Sequence, residues 1–256
     1  MRVLMIGDVV GRPGRKAVST LLPDLRREHD LDLVIANGEN ASGGFGINYK
    51  NAQELYDSGV DVITSGNHIW DQRDIIEHLD SDMPILRPLN YPADTPGRGY
   101  LVFNDVLVIN LIGRLFVGTF DCPFRGIDRV LDEMNGKVNA IIVDLHAEAT
   151  SEKEAMGWYL DGRVSVMAGT HTHVPTADTR ILPKGTAYVS DLGMVGALES
   201  TIGAEPEAVL ARFLTQTPRR LKVEESGPMR FNSVLIELDD SSGKASCIRR
   251  LDMKIE

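Results

Sequence analysis

The chain has 256 residues, of which 43% are hydrophobic and 25% charged, and its formal net charge is -10. Such a composition suits a globular protein that buries a core without disulfide staples. The acidic balance argues against general coating of DNA or RNA, although bound divalent cations would allow a small anionic substrate. No run reaches the ~18 apolar residues of a membrane span. Cys122 and Cys247 fit no metal-ligand spacing, so we expect a cytoplasmic protein whose thiols are buried or idle.

Short apolar runs alternate with amphipathic segments along the first two thirds of the chain. The apolar runs predict buried strands at residues 3–6, 33–36, 60–64, 107–111, 140–145 and 164–168. The segments between them predict helices at residues 15–29, 48–58, 71–79, 128–134 and 152–159, and Pro23 is expected to bend or end the first helix. Strands that are apolar throughout are buried on both faces, which indicates sheets covered by helices.

The last third has a different pattern. It predicts a strand at residues 187–190, a helix at 205–214, and alternating antiparallel strands at 221–225, 233–238 and 244–251. Residues 239–243 have the composition of a hairpin connection between the last two strands. With no long linker or internal repeat, we expect one α/β domain over residues 1–256. Its predicted architecture is a four-layer β-sandwich flanked by helices on both faces.

Polar residues of metal-binding types follow five of the predicted strands. In chain order these clusters hold Asp8, Glu39 with Asn40, Asn67 with His68, His146, and His171 with His173. Because ligands bind at the carboxyl edge of the strands in α/β sheets, five such endings are expected to converge on one site. Glycines precede four of the clusters and are expected to let the backbone turn sharply.

The ligand types favour two metal ions. Without His68, the clusters supply two carboxylates, two amide oxygens and three imidazoles, a mixed set that suits iron, manganese, zinc or cobalt. Seven ligands exceed the four of a tetrahedral zinc site and match two metals that share a carboxylate. Two metals ~3.5–4 Å apart clamp both oxygens of a displacement at phosphorus and turn a shared water into hydroxide. This arrangement predicts phosphoester hydrolysis.

His68 follows the candidate ligand Asn67 directly, and neighbouring side chains on an extended strand end diverge. We therefore interpret His68 as the general acid that protonates the leaving oxygen; the alternative is a buried or supporting histidine. Asp71 is a candidate partner that orients His68, and a helix cap is the competing interpretation. His29 and His78 lie in polar predicted helices and are expected at the surface.

Weaker candidates surround these clusters. Gly11, Arg12 and Gly14 lie in the loop after Asp8. Backbone N–H groups of this loop are candidates to bind a phosphate oxygen; the alternative is that the loop is a plain strand-to-helix turn. Ser42 begins a glycine-rich loop that lacks the lysine of a P-loop and is a candidate for the pocket rim. The run 191–203 is expected either to wall the substrate pocket or to contact another subunit.

The five clusters together resemble the calcineurin-like metallophosphoesterase superfamily. The resemblance lies in GD at 7–8, GEN at 38–40, GNH at 66–68, His146 and GTHTH at 169–173. Val10 replaces the superfamily's usual histidine and Ile69 its usual glutamate, and Asn40 is placed to supply the missing contact. These departures resemble one branch of the superfamily, the bacterial YmdB family. Six segments carry this resemblance: GDVVGRPGR at 7–15, ANGENASGGFG at 36–46, SGNHIWD at 65–71, NLIGR at 110–114, AGTHTHVPTAD at 168–178 and SDLGMVGALESTIG at 190–203.

That resemblance implies a metallophosphoesterase-like sandwich, a di-iron or related two-metal centre, homo-oligomers, and hydrolysis of 2′,3′-cyclic nucleotides. One metal would be held by Asp8, Glu39, Asn40 and His173, and the other by Glu39, Asn67, His146 and His171. Glu39 would bridge the metals and His68 would be catalytic. Two alternatives remain open: a phosphomonoesterase or protein phosphatase that uses the same site, and a metal- or nucleotide-binding regulator without turnover.

Overall fold

The computed structural model describes residues 1–256 as a mixed α/β protein. The first strands are β1 (Arg2–Ile6), β2 (Asp8–Val9), β3 (Leu33–Asn37), β4 (Val62–Thr64), β5 (Tyr100–Phe103), β6 (Val106–Ile112), β7 (Ala140–His146) and β8 (Val166–Thr170). The later ones are β9 (Arg180–Ile181), β10 (Ala187–Val189), β11 (Met194–Ala197), β12 (Met229–Phe231), β13 (Ser233–Leu238), β14 (Ala245–Arg250) and β15 (Met253–Ile255). The helices are α1 (Gly11–His29), α2 (Tyr49–Asp57), α3 (Pro123–Met134), α4 (Thr150–Leu160) and α5 (Pro206–Thr215), with a 3-10 helix at Arg73–His78.

The strands form two large sheets and one small one. The first sheet has the order β14-β13-β1-β3-β4, and the second has the order β5-β6-β7-β8-β10-β9. A third sheet, β15-β12-β11-β2, lies beside the first. Strands β1, β3 and β4 are parallel to one another, as are β6, β7, β8 and β10. The carboxyl ends of parallel neighbours therefore share one edge in each large sheet.

Successive side chains of a strand point to opposite faces of its sheet, so each large sheet packs against a different layer on each face. In β1, Val3 and Met5 point between the two large sheets and pack with Val108, Ile142 and other residues of the second sheet. The alternate residues of β1 point outward to α1 and α2, in a cluster that includes Leu4, Ile6, Val18, Leu22 and Leu55. The outer face of the second sheet packs on α3 and α4, in a cluster that includes Leu107, Val143, Ile127, Met156 and Leu160. The predicted four-layer sandwich is confirmed.

Most predicted elements are present, and three differ. The first helix begins at Gly11 and continues through Pro23, because buried Leu22 and Leu25 hold both sides of the proline against the core. The segment at 71–79 forms only the short 3-10 helix. The predicted strand at 221–225 is wrong: Val223 makes a single bridge to Ala204 and no ladder.

The third sheet was not expected, because its strands are too short to show a pattern. The hairpin at 239–243 is confirmed by the antiparallel pairing of β13 with β14. None of the helices combines the length and the apolar character that crossing a bilayer demands.

Candidate metal centre

The ends of strands β1, β3, β4, β7 and β8 meet at one edge of the sandwich. The register of β7 with β8 pairs His146 with Thr170, so that His171 comes directly after the partner of His146. Glu39 lies two residues beyond the end of β3, and its carboxylate contacts His146 from the opposite sheet. The two sheets thus contribute facing groups to one buried cluster.

One part of this cluster gathers around His146. The Nε2 atom of His146 lies 2.9 Å from Oε1 of Glu39 and 2.9 Å from Nδ1 of His171. The three residues offer ligand atoms that all lie within 4.8 Å of one another, which is the spacing of a metal site. Asn67, three residues beyond the end of β4, has its Oδ1 atom buried without a hydrogen-bond partner.

The other part gathers around Asp8. Oδ1 of Asp8 lies 3.8 Å from Nε2 of His173 and 3.8 Å from Nδ1 of His146. Oδ1 of Asn40 lies 3.1 Å from the same Nε2 of His173. Nδ1 of His173 lies 2.8 Å from the carbonyl oxygen of Ile202, so it carries the proton and leaves the Nε2 lone pair toward Asp8 and Asn40.

This donor set fits metal ions. Oδ1 of Asp8 and Oδ1 of Asn67 are both buried and have no hydrogen-bond partner in the protein. An unsatisfied buried oxygen costs ~1–3 kcal/mol, and a cation bound at each of these two oxygens would offset that cost. The mixed oxygen and nitrogen set matches first-row metals and leaves their identity open.

The buried groups perturb one another strongly. Burial raises the pKa of Asp8 to about 6, although His173 and His146 oppose this effect. Burial also opposes the charge of Glu39, but the charge and hydrogen bond of His146 lower its pKa to about 2. Glu39 in turn raises the pKa of His146 to about 9 against the effect of burial. In the protein without metals, His146 is therefore protonated and lies between the carboxylates of Glu39 and Asp8. A metal ion that binds a ring nitrogen of His146 must displace the proton from that nitrogen.

His171 behaves in the opposite way. Burial and the neighbouring charge of His146 lower the pKa of His171 to about 3, so this imidazole is neutral at physiological pH. Its Nε2 atom lies 3.1 Å from the carboxylate of Glu148, which directs Nδ1 and its lone pair toward His146. A carboxylate at the outer nitrogen is the usual way in which proteins fix a metal-binding histidine.

The glycines before the clusters allow close packing at the site. None of Gly7, Gly38, Gly66 and Gly169 has a positive φ, so their backbone conformation does not itself require glycine. A Cβ atom at Gly66 would instead overlap the Glu39 carboxylate and the His146 ring. Glycine at this position is required because the two candidate ligands lie directly against the backbone.

His146 is held by a buried polar network that was not predicted from the sequence. Asp144 is buried on β7 and accepts hydrogen bonds from Thr64 and, at 2.8 Å, from Thr170. Thr170 lies 3.0 Å from Nδ1 of His146, and Asn37 reaches both Asp144 and His146. Burial raises the pKa of Asp144 against these hydrogen bonds. The available signal was polar residues inside otherwise apolar strands.

The loop after β8 has a strained backbone. His171 has φ 101° and His173 has φ 64°, a region that residues other than glycine rarely adopt. The N–H of His171 donates to Asp8 at 3.1 Å, and the N–H of Thr172 donates to Asp191 at 3.1 Å. Asp191 also forms a buried ion pair at 2.7 Å with Lys153, a residue to which the sequence analysis gave no role.

His68 lies beside the cluster with its side chain partly exposed. Its Nδ1 atom is 2.8 Å from Oδ2 of Asp71, and its ring meets Phe45 edge-on at 5.1 Å. Asp71 therefore contacts His68, in agreement with one of its two interpretations, while the N-cap of the 3-10 helix is Gln72. The Nε2 atom of His68 has no protein partner.

A cavity of about 340 Å³ opens above the cluster. It is lined by Glu39, Asn40, His68, His171 and His173, together with Val10, Gly44, Phe45, Glu148, Thr172, Ile202, Gly203, Ala204, Leu221, Lys222 and Val223. The run 191–203 contributes Ile202 and Gly203, so it walls the cavity, which was one of the two expectations for it. Glu148 and Lys222 were not predicted from the sequence.

The weaker substrate candidates Gly11, Arg12, Gly14 and Ser42 do not line this cavity. The N–H of Gly11 donates to the carbonyl of Asn40 at 2.9 Å, which removes it from the donors available to a phosphate. The hydroxyl of Ser42 accepts from Asn48 and Asn51 at the start of α2. Arg12 is exposed and lies 4.0 Å from Glu225. These contacts give no support to their assignment as substrate contacts, because each group is directed elsewhere.

Comparison with known proteins agrees with this architecture. A family model described as YmdB-like protein matches residues 4–251. The 2′,3′-cyclic-nucleotide 2′-phosphodiesterase of Bacillus subtilis is 46% identical over 98% of this chain and 96% of its own length.

Two solved structures superpose over the full chain. A hypothetical protein from Thermus thermophilus has a TM-score of 0.93 and 44% identity, with 100% of both chains covered. A structure described as a novel phosphatase of Mycoplasma pneumoniae has a TM-score of 0.93 and 33% identity, with 100% of this chain and 94% of that one covered. The sandwich is thus of the metallophosphoesterase type, and the chain belongs to the YmdB-like family.

Proposed function

We propose that this chain is a metal-dependent hydrolase of small phosphodiesters and that its substrates are 2′,3′-cyclic nucleotides. Its family and relatives make it a phosphoric-ester hydrolase. The observation that carries the proposal is the group of Glu39, His146 and His171, whose ligand atoms lie within 4.8 Å of one another, together with the unpartnered buried oxygens of Asp8 and Asn67. A buried cluster of this kind matches two cations and a phosphate better than it matches a structural role.

The candidate ligands divide between two metals. Asp8, Asn40 and His173 would hold one, Asn67, His146 and His171 the other, and Glu39 would bridge them. Iron is the first candidate and manganese or zinc the next, since this mixed set suits all three. When bound, such metals supply Lewis acidity to the phosphoryl group and a nucleophile from water near neutral pH.

His68 would protonate the leaving ribose oxygen. Its Nδ1 contact with Asp71 fixes the ring, so that Nε2 is the nitrogen available to a bound substrate in the cavity that His68 lines. Phe45, Ile202 and Val223 supply apolar walls on which a nucleobase packs. Together these residues would orient the substrate and exclude water from the side of the phosphate where the ribose oxygen leaves.

The test is metal content and hydrolysis measured on the same protein. The manganese-loaded protein should hydrolyse 2′,3′-cyclic AMP faster than the monoesters 5′-AMP and p-nitrophenyl phosphate. H68A should lose ~10²–10⁴-fold in kcat, the usual contribution of a general acid, while elemental analysis still finds two metals per chain. H29A, a histidine on α1 outside the cavity, is the matched control.

Other outcomes would assign a different function. Faster hydrolysis of the monoesters would make the protein a phosphomonoesterase. Retention of both metals without hydrolysis of any phosphoester would make it a binding protein and would contradict the proposal.

A further inference from the structure

A second and larger cavity adjoins the candidate active site. Its volume is about 720 Å³, and it shares Phe45, Leu221, Lys222 and Val223 with the first cavity. The first cavity alone, at about 340 Å³, lies near the low end of the ~300–1,000 Å³ that small-molecule sites occupy. The two together provide more room than a mononucleotide fills.

The second cavity concentrates unpaired positive charge. Its lining includes Arg212, Arg219, Arg220 and Lys222. None of these four cations forms an ion pair within 4.0 Å, on a chain whose net charge is -10.

None of the three glutamates of the same cavity forms an ion pair with these cations. Glu224 accepts from the backbone and hydroxyl of Ser226, and Glu225 lies 4.0 Å from Arg12 instead. Glu205, the third, contacts none of the four cations within ion-pair distance. The cavity therefore offers cations that no protein group uses.

An aromatic side chain joins the two cavities. Phe45 lines both, is 43% exposed, and places its ring against His68. Single-stranded nucleic acids are bound by this combination, a cationic groove that follows the backbone with an aromatic ring on which a base stacks.

We infer that the second cavity binds the nucleotides that precede a 2′,3′-cyclic phosphate, so that short RNA ends are substrates in addition to mononucleotides. This inference rests on the proposed function. A 2′,3′-cyclic phosphate forms when the 2′ hydroxyl of a ribose attacks the adjacent phosphorus of RNA and expels the 5′ oxygen of the next nucleotide. RNA cleavage of this class must supply the substrate, and it leaves the cyclic phosphate on a chain whose preceding phosphates require cations.

Binding is measured first, on the manganese-loaded H68A variant, which keeps all the candidate metal ligands and should turn over slowly. The probes are 2′,3′-cyclic AMP and a fluorescent triadenylate that ends in a 2′,3′-cyclic phosphate and carries two internal phosphodiesters. The triadenylate should bind at least tenfold more tightly at 50 mM salt. Each phosphate neutralised contributes a slope of about 0.7 for single strands, so raising salt to 200 mM should reduce this advantage about sevenfold.

Two double variants locate the effect. R219E/R220E should abolish the triadenylate advantage in binding and in kcat/KM while leaving 2′,3′-cyclic AMP unaffected. R125E/R129E reverses two exposed charges on α3, outside both cavities, and should keep the advantage. Matching thermal unfolding curves would show that each variant folds.

The outcomes separate the two claims. If the manganese-loaded wild type hydrolyses 2′,3′-cyclic AMP but the triadenylate has no advantage, or R219E/R220E keeps it, the second cavity is not a nucleotide site. If neither compound is hydrolysed, the proposed function itself is wrong and this inference ends with it.

Discussion

The His68 ring is held at one nitrogen, by the 2.8 Å contact of Nδ1 with Asp71. Changing Asp71 to Asn removes the carboxylate and allows the other tautomer. We expect D71N to lower kcat on 2′,3′-cyclic AMP by about 10–100-fold, the usual effect of losing a partner that orients an active-site group. Metal content, measured by elemental analysis, should not change because Asp71 is not among the candidate ligands.

The matched control for this variant is E77Q, an exposed carboxylate in the 3-10 helix that follows Asp71. Equal losses in D71N and E77Q would show a general effect of charge and contradict the orienting role. From the sequence, Asp71 fitted a helix cap as well as it fitted a histidine partner, since both roles place a carboxylate near a helix start. Side-chain geometry separates them, and this is information that local sequence does not contain.

At the scale of elements, the loop after β8 depends on a buried ion pair. Lys153 on α4 and Asp191 after β10 are both 2% exposed in their side chains, and Asp191 holds the N–H of Thr172 between the two strained histidines. Removing one partner leaves an unpaired buried charge, which costs ~3–5 kcal/mol. We expect K153M to lower the free energy of unfolding by about that amount in urea denaturation.

R27A is the comparison for K153M. Arg27 pairs with Asp24 on α1, where both side chains are 73% exposed, and such surface pairs contribute at most ~1 kcal/mol. A loss in K153M no larger than that in R27A would mean that Asp191 does not need its partner and that the loop is held by other contacts.

The sequence predicted the strands that end at the site because each is an apolar run followed by a polar cluster. It did not predict Lys153, because a lysine in a helical pattern is read as solvated, and here the pairing with Asp191 reverses that expectation. The segment at 221–225 alternates like a strand, yet it lines the cavity through Leu221 and Val223. Its apolar residues face a pocket rather than a sheet, and periodicity alone does not distinguish the two.

At the scale of the whole molecule, the candidate ligands come from both sheets. Glu39 follows a strand of the first sheet, whereas His146 ends one strand of the second sheet and His171 directly follows another. Chain order alone predicted that the strand ends would gather at an edge. The two edges face each other only because the inner faces of the two sheets pack together. That packing joins residues that are far apart in the sequence, such as Val3 and Val108. Metal binding should therefore connect the two sheets and stabilise the fold.

This connection predicts a metal-dependent melting temperature. A ligand that binds the folded chain alone, at 100 times its dissociation constant, adds ~2.7 kcal/mol of stability, which corresponds to about 5–10 °C for a chain of this size. Adding MnCl₂ to EDTA-treated protein should produce a rise of this order in differential scanning calorimetry. E39Q should lose most of the rise because Glu39 is the ligand that the two proposed metals would share, whereas E77Q should keep it. An equal rise in wild type and E39Q would place the stabilising ion elsewhere on the molecule and would leave the unpartnered oxygens of Asp8 and Asn67 without their proposed partners.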